Sequence, residues 1–334
     1  MACWRETGRW AGWHDGVPLH AKPCRYLNPS NAMNKSPFLF PFCAIALWAG
    51  NVVVSKLSAS TIDPSAITFY RLLLAVALMS VFTLRPAWRN RAALVAYLPK
   101  LAALGFLAMA LFQSLSYEAA KTASATNMAI ITALVPLMTM VLSSMLLGDP
   151  PGAGMVGGGM LSLAGVVYLI AEGHPMAIAA RGVHVGDLLM LAASAAYALY
   201  GVLLKRWRIG HLPAWQSTYV QALAALVFMA PMLIRLPAHA AWPTRASVPL
   251  ILYAGVLASV VLPYLWMQGV RLLGPSRCAM FMNLLPVMTA GGAIMLLGES
   301  LRLYHLIGGS VALAGVAIAQ RFPLHARASQ RVRQ

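Results

Sequence analysis

The sequence predicts an all-α integral membrane protein of ten transmembrane helices, arranged as two inverted five-helix repeats. Three observations carry that prediction. Of the 334 residues, 60% are hydrophobic and only 10% charged, whereas soluble domains run to about 45–50% apolar and about 25% charged. The apolar residues form a regular series of windows, each near the length of a membrane crossing. The second half of the chain also matches the first at a gapless offset of 150 residues.

The windows between charged residues are 36–55, 64–84 (broken once, by Arg71), 101–117, 122–148, 150–171, 188–204, 209–234, 246–270, 278–298 and 303–320. Crossing ~30 Å of hydrocarbon takes about 20 residues, within a range of roughly 17–25. Each window meets or slightly exceeds that length, so each is assigned one helix. Residues 1–35 precede the first window and carry no apolar signal-peptide core. They are read as an N-terminal cytoplasmic tail without ordered structure, with Met33 resembling a natural start. Residues 36–171 form the first repeat, 186–321 the second, and 322–334 a basic cytoplasmic C-terminal tail.

Orientation follows from the loops. With the N-terminus inside, 18 Lys and Arg fall on the cytoplasmic side and 6 outside. Such a bias over short loops is the positive-inside signature. It also explains the net charge of +17: the cations cluster between spans as topology determinants, and nucleic-acid binding is excluded on that placement.

The repeat is specific at its least common residues. Between 129 and 170 the offset returns 15 identities, among them Pro136/Pro286, Thr139/Thr289, Gly148/Gly298 and Gly165/Gly315. The same register pairs Arg71 with Gln221 and Lys121 with Arg271. Five is odd, so the second copy enters the membrane upside down. Inverted repeats of this kind belong to secondary transporters, with a substrate site near the midplane between repeats and alternating access by exchange of their conformations.

On these residues the chain resembles the EamA-domain family of the drug/metabolite transporter superfamily. LWAGNVVVSK (47–56) is similar to that family's first-helix start, and IDPSAITFYRLLLAVAL (62–78) to its Pro-to-Arg second helix. SYEAAKTASATNMAIITALVPLMTMVLSSMLLGD (116–149) resembles the Tyr-x-Ala, Ser-Ala and Leu-x-Pro series, ending with Asp149 where the family has Glu. LLGES (296–300) closes the second copy in the usual form. The resemblance implies export or exchange of small polar metabolites across the bacterial inner membrane. Two departures, Glu118 beside Tyr117 and WAGN in the first helix, bear on the substrate rather than the fold.

Candidate transport residues are the polar and aromatic groups within spans. Arg71 is charged and inside a window, a placement that costs about 2.5–3.5 kcal/mol at the bilayer centre on insertion scales, so it should face the bundle interior. A substrate-anion or gating contact and a structural tie to helix-end carbonyls are both open to it. Asn51, Gln113, Asn127, Gln221 and Asn283 must pair across helices or line the pathway. Asn51 is favoured for the pathway because the family's first-helix motif carries Asn there. Trp48, Tyr197 and Tyr264, with Tyr200 and Trp266 nearby, offer aromatic faces to a cavity or anchors at the interface. Trp48 and Tyr197 stand at near-equivalent places of the two repeats. Pro136 and Pro286 are read as kinks, either hinges or static bends. Glu118 is a gate or coupling candidate set against a surface pair with Lys121. No Asp, Glu or His falls mid-window, so proton coupling would have to use a carboxylate at a helix end.

The four cysteines are scattered without metal or disulfide spacing, and no cofactor or metal is expected. Neither HExxH nor GxSxG occurs. The expected function is therefore secondary transport of a small polar, amino-acid-like metabolite, in the direction of efflux. Lipid or lipid-linked sugar flipping is the alternative, with a multi-span membrane enzyme further away. The expected partners are the small-molecule substrate and membrane lipid, with the oligomeric state open.

Overall fold

The computed structural model describes residues 36–148, 152–174, 184–209, 212–273 and 281–321. The expected tails, 1–35 and 322–334, lie outside the described residues, as does Asp149. Within them all regular structure is helical. The main helices are α1 (Ser36–Ser58), α2 (Pro64–Arg89), α3 (Leu98–Ala119), α4 (Ala125–Leu147) and α5 (Ala153–Ile170), followed by α6 (Val185–Arg206), α7 (Ala214–Ile234), α8 (Val248–Leu273), α9 (Leu285–Leu297) and α10 (Leu303–Arg321). Seven are long and apolar enough to cross a membrane, and Val156–Ile170, Leu285–Leu297 and Leu303–Ile318 are shorter apolar stretches. The outward face is oily: Val81, Ile234 and Met295 are 85%, 81% and 79% exposed. Arg71, Asp187, Gln221 and Thr68 are buried inside. A chain that exposes large apolar side chains and buries charge is built for a hydrocarbon solvent.

Local chemistry sets the helix ends. Asp63 caps α2, its carboxylate accepting from the Ser65 N–H at 2.7 Å, with Pro64 supplying the first helical residue. Ser124 caps α4 by accepting from the Asn127 N–H at 3.0 Å. Glu299 reinforces that end from across the bundle, accepting from the Ala125 N–H at 2.8 Å and the Thr126 hydroxyl at 3.0 Å. A carboxylate at a helix N-terminus satisfies amides that have no intrahelical acceptor and meets the positive end of the dipole. Glu299→Gln should therefore lower thermal stability, by ~0.5–2 kcal/mol on the scale of lost caps, read as a falling melting temperature in detergent. Gly148 and Gly298 close α4 and α9 at equivalent positions with φ of +74° and +67°, a left-handed terminus that glycine adopts without steric cost.

The two prolines break their helices. The helical path of α4 is interrupted at 133–134, immediately before the segment Val135–Leu147 in which Pro136 is second. In the other half a 3₁₀ turn, Met282–Leu284, precedes α9, where Pro286 is second. Proline lacks the N–H and its ring collides with the carbonyl four residues back, so the ladder fails one turn earlier. A second matched irregularity lies in α3 and α8, which contain π-helical segments Phe106–Leu111 and Tyr253–Val261.

Helix pairing follows an exchange rule. α1 packs on α8 and α9, while α6 packs on α3 and α4; α2 packs on α8, while α7 packs on α3. α2 meets α7, and α5 meets α10. Exchanging the halves maps every one of these pairs onto another or onto itself, as a two-fold relation requires. Small residues make the closest approaches. A Cβ on Gly105 would strike the backbone carbonyl of Gln221, and one on Gly255 would lie 2.9 Å from the Leu74 side chain and 3.2 Å from the Arg71 carbonyl. Residues paired by the offset thus perform the same contact in each half.

One expectation needs correction. The sixth window begins at 188, yet α6 starts three residues earlier, and Asp187 in its first turn is 1% exposed. A buried carboxyl therefore lies within a spanning helix. A rule that ends a window at each charge places it in the loop, because the rule sees charge and not the packing around it.

Candidate functional site

The bundle encloses a cavity of about 540 Å³, within the range that small-molecule sites occupy. Six helices wall it: α1 with Trp48 and Asn51, α2 with Arg71 and Met79, α3 with Phe112 and Gln113, α6 with Tyr197 and Tyr200, α7 with Ser217 and Gln221, and α8 with Ser259 and Trp266. Arg71 is the one charged residue among its described lining residues.

Arg71 is 3% exposed and held by neutral groups. Its Nη1 donates to Gln113 Oε1 at 2.7 Å and to the Tyr117 hydroxyl at 3.0 Å. Its Nε and Nη2 donate to Ser259 Oγ at 3.2 and 2.9 Å. The guanidinium carbon sits 5.8 Å from the Tyr117 ring centroid, in reach of its π face. Ser259 donates in turn to the Ala254 carbonyl five residues back at 2.7 Å. Those four bonds leave one of the five guanidinium N–H groups for a ligand. No carboxylate among the described residues neutralises the charge.

Gln221, the repeat partner of Arg71, is 2% exposed and donates from Nε2 to Ser217 Oγ at 2.9 Å. Its Oε1, like Oδ1 of Asn51, is buried without a hydrogen-bond partner. Buried acceptors are nearly always satisfied, so two unpartnered amide oxygens on residues of one cavity wall are a feature of this site. Aromatic rings complete the wall. Trp48 meets Tyr197 edge-on with centroids 6.1 Å apart, Phe112 lies 5.0 Å from Tyr197, and Tyr200 follows at 5.5 Å.

Of the residues singled out in the sequence, Trp48, Asn51, Arg71, Gln113, Tyr197 and Gln221 are brought together here. Tyr264 is not on the wall: it is 44% exposed and stacks on Trp215. Asn127 is buried elsewhere, bonded to Asp187. Asn283 has its backbone in the Met282–Leu284 turn, and its side chain lies outside the described residues. Pro136 and Pro286 border the breaks rather than the cavity. Glu118 forms a half-exposed pair with Lys121 at 2.8 Å. Such pairs contribute ~0–1 kcal/mol, so Glu118→Gln should leave flux within about twofold of wild type in whole-cell export. Ser259 and Tyr117 are the contacts that sequence reasoning missed. Tyr117 was visible only as part of a motif, and a serine in an apolar span carries no distinguishing pattern.

Among the described residues the molecule is thus a helical bundle with an oily exterior, matched helix pairs in its two halves, and a mainly apolar and aromatic cavity around one buried arginine. The chain belongs to the EamA-like transporter family, which matches residues 35–171 and again 184–320. Relatives include the uncharacterized transporter YyaM of Bacillus subtilis strain 168, 26% identical over 80% of this chain and 87% of its own length. An uncharacterized transporter of Archaeoglobus fulgidus is 27% identical over 85% of this chain and 97% of its own length. A solved crystal structure is similar in fold, with a TM-score of 0.56 at 21% identity, covering 86% of this chain and 97% of the other.

Proposed function

We propose that the chain is a secondary transporter of the bacterial inner membrane that exports a small, amino-acid-like metabolite by alternating access. In this reading it crosses the membrane ten times, as inverted repeats 36–171 and 186–321, with both termini cytoplasmic. The substrate's carboxylate meets Arg71, its ammonium meets the Asn51 and Gln221 oxygens, and its apolar part lies on Trp48, Tyr197 and Tyr200. Pro136 and Pro286 mark the hinges about which each repeat changes shape. The free energy for export comes from substrate or ion gradients.

The observation that carries this reading is the un-neutralised guanidinium on the cavity wall. A buried cation whose partners are all neutral offers an anion a charge-assisted, directional contact. The orphaned amide oxygens nearby suit the opposite end of a zwitterion. The test is mass spectrometry of spent medium from cells expressing the protein against empty vector, followed by counterflow of the metabolite found in sealed proteoliposomes. Accumulation of an amino-acid-like solute outside only the expressing cells is the expected result. Accumulation of cationic solutes alone, or a change in lipid sidedness with no soluble flux, overturns it.

A further inference from the structure

Outside the cavity, one buried polar pair is only half satisfied. Asp187 of α6 is 1% exposed and Asn127 of α4 is 7% exposed. One bond joins them, from Asn127 Nδ2 to Asp187 Oδ1 at 3.3 Å. The other oxygen of each, Asp187 Oδ2 and Asn127 Oδ1, is buried without a partner. An ionised carboxylate can only accept, so two orphaned oxygens on one hydrogen-bonded pair are unfavourable twice over. A carboxylic acid resolves both at once: its O–H on Oδ2 donates to the amide oxygen, while the amide N–H donates to Oδ1.

We propose that Asp187 is a proton-binding site. In this conformation its carboxyl is protonated and forms a two-hydrogen-bond acid–amide pair with Asn127. The pair closes the end of the bundle near residues 59–63 and breaks when that end opens. The carboxyl O–H then dissociates in water, the electron pair staying on oxygen and the proton passing to solvent. This inference rests on the transporter reading and adds to it the linkage between access at that end and pH.

The surroundings fit a latch. The Asp187 helix is pressed against the α3–α4 turn so closely that a Cβ on Gly186 would lie 2.5 Å from the Ala119 carbonyl and 2.6 Å from the Ala123 N–H nitrogen. Lys56 of α1 ties the same turn by donating to the Ala120 and Ala123 carbonyls at 2.9 and 2.7 Å. Beneath it Val52, Met128, Ile131 and Met190 form a buried apolar layer.

The titratable groups facing the site do not neutralise a carboxylate. On its own helix end, His184 is exposed and within electrostatic reach of Asp187, but it pairs with Glu172 of the α5 end at 3.5 Å, whose charge acts on Asp187 in the opposite sense. The α10 side presents Tyr304 and His305 with Arg302 just before them, and α9 ends in Glu299, which faces Lys56. α3 presents the Glu118–Lys121 pair, and α4 has no titratable side chain. No lysine or arginine among the described residues pairs with Asp187. A buried carboxyl without a cation is held neutral rather than charged, and a group that is protonated closed and ionised open links the two states to pH.

Two measurements on the full chain test this. Infrared spectroscopy of the purified protein should show a protonated-carboxyl C=O band at pH 7 that is missing in Asp187→Asn. Asp187→Ser serves as a second variant if the first is poorly recovered. In a background with Cys3, Cys24, Cys43 and Cys278 replaced by serine, Val52→Cys reports access. Its labelling by an impermeant maleimide should rise several-fold from pH 6 to pH 8 relative to the same cysteine in Asp187→Asn. Absence of an Asp187-dependent band at pH 7, or a flat labelling ratio, overturns the proposal. Neither readout uses a transported solute, so a failed export screen counts against the transporter reading while these measurements still decide the proton site.

Discussion

Arg71→Ala is expected to cut export at least tenfold while leaving the protein at normal levels in the membrane. A hydrogen bond to a charged group contributes about 1.5–3 kcal/mol, and each ~1.4 kcal/mol is tenfold in affinity. Loss of the guanidinium removes the contact proposed for a substrate carboxylate and also strands Gln113 Oε1, which accepts from it at 2.7 Å. Arg71→Lys retains the charge but not the planar fork that reaches Gln113, Tyr117 and Ser259 together, so intermediate flux is expected. Export assays normalised to immunoblotted membrane protein make the comparison. Wild-type flux in Arg71→Ala would reduce this residue to a structural tie among three helices.

The largest effect on stability is expected from the α5–α10 contact. A Cβ on Gly165 would meet Ala312 N and the Gly308 carbonyl, and one on Gly315 would meet Ser162 N and the Gly158 carbonyl. These are backbone atoms, so no rotamer change relieves the collision. The helices must move apart and lose the close packing that holds apolar helices together in lipid. Overpacking costs ~1–3 kcal/mol even where side chains can give. Gly165→Leu and Gly315→Leu should exceed that range, with most of the protein lost from the monodisperse peak on gel filtration. Gly157→Ala is the control, because nothing lies within 4 Å of its added Cβ. Equal behaviour of all three variants would mean that the α5–α10 contact contributes little.

Much of this was legible in the chain itself. The uncharged windows mark the helices because a charge inside hydrocarbon is costly, and the 150-residue offset marks the repeat because prolines and glycines with backbone roles recur in register. The same offset anticipates that Arg71 and Gln221 share a cavity. What stayed hidden depends on phase and packing. Tyr264 lies between Pro263 and Trp266, both on the wall, yet its own ring turns outward onto Trp215, a matter of helical phase that the presence of an aromatic in a span does not reveal. Asp187 reads as a loop residue until the packing of Gly186 draws the α6 start into the bundle. Asn127 is a spanning amide like Asn51, and nothing in the sequence says that its neighbour is a carboxyl.

The π segments of α3 and α8 have a geometric consequence for how the two halves can diverge. A wide turn accommodates a surplus residue in the ladder, and one residue corresponds to about 100° of helix rotation. Removing one residue from Phe106–Leu111 or Tyr253–Val261 would let the ladder close as ordinary α-helix, with Gln113 and Tyr117 still turned to Arg71 and Trp266 still on the wall. The same deletion in a regular turn between either segment and those residues has no slack to absorb it and would swing them away. The two wide turns are thus the places where α3 and α8 can change length by one residue while the cavity keeps its lining.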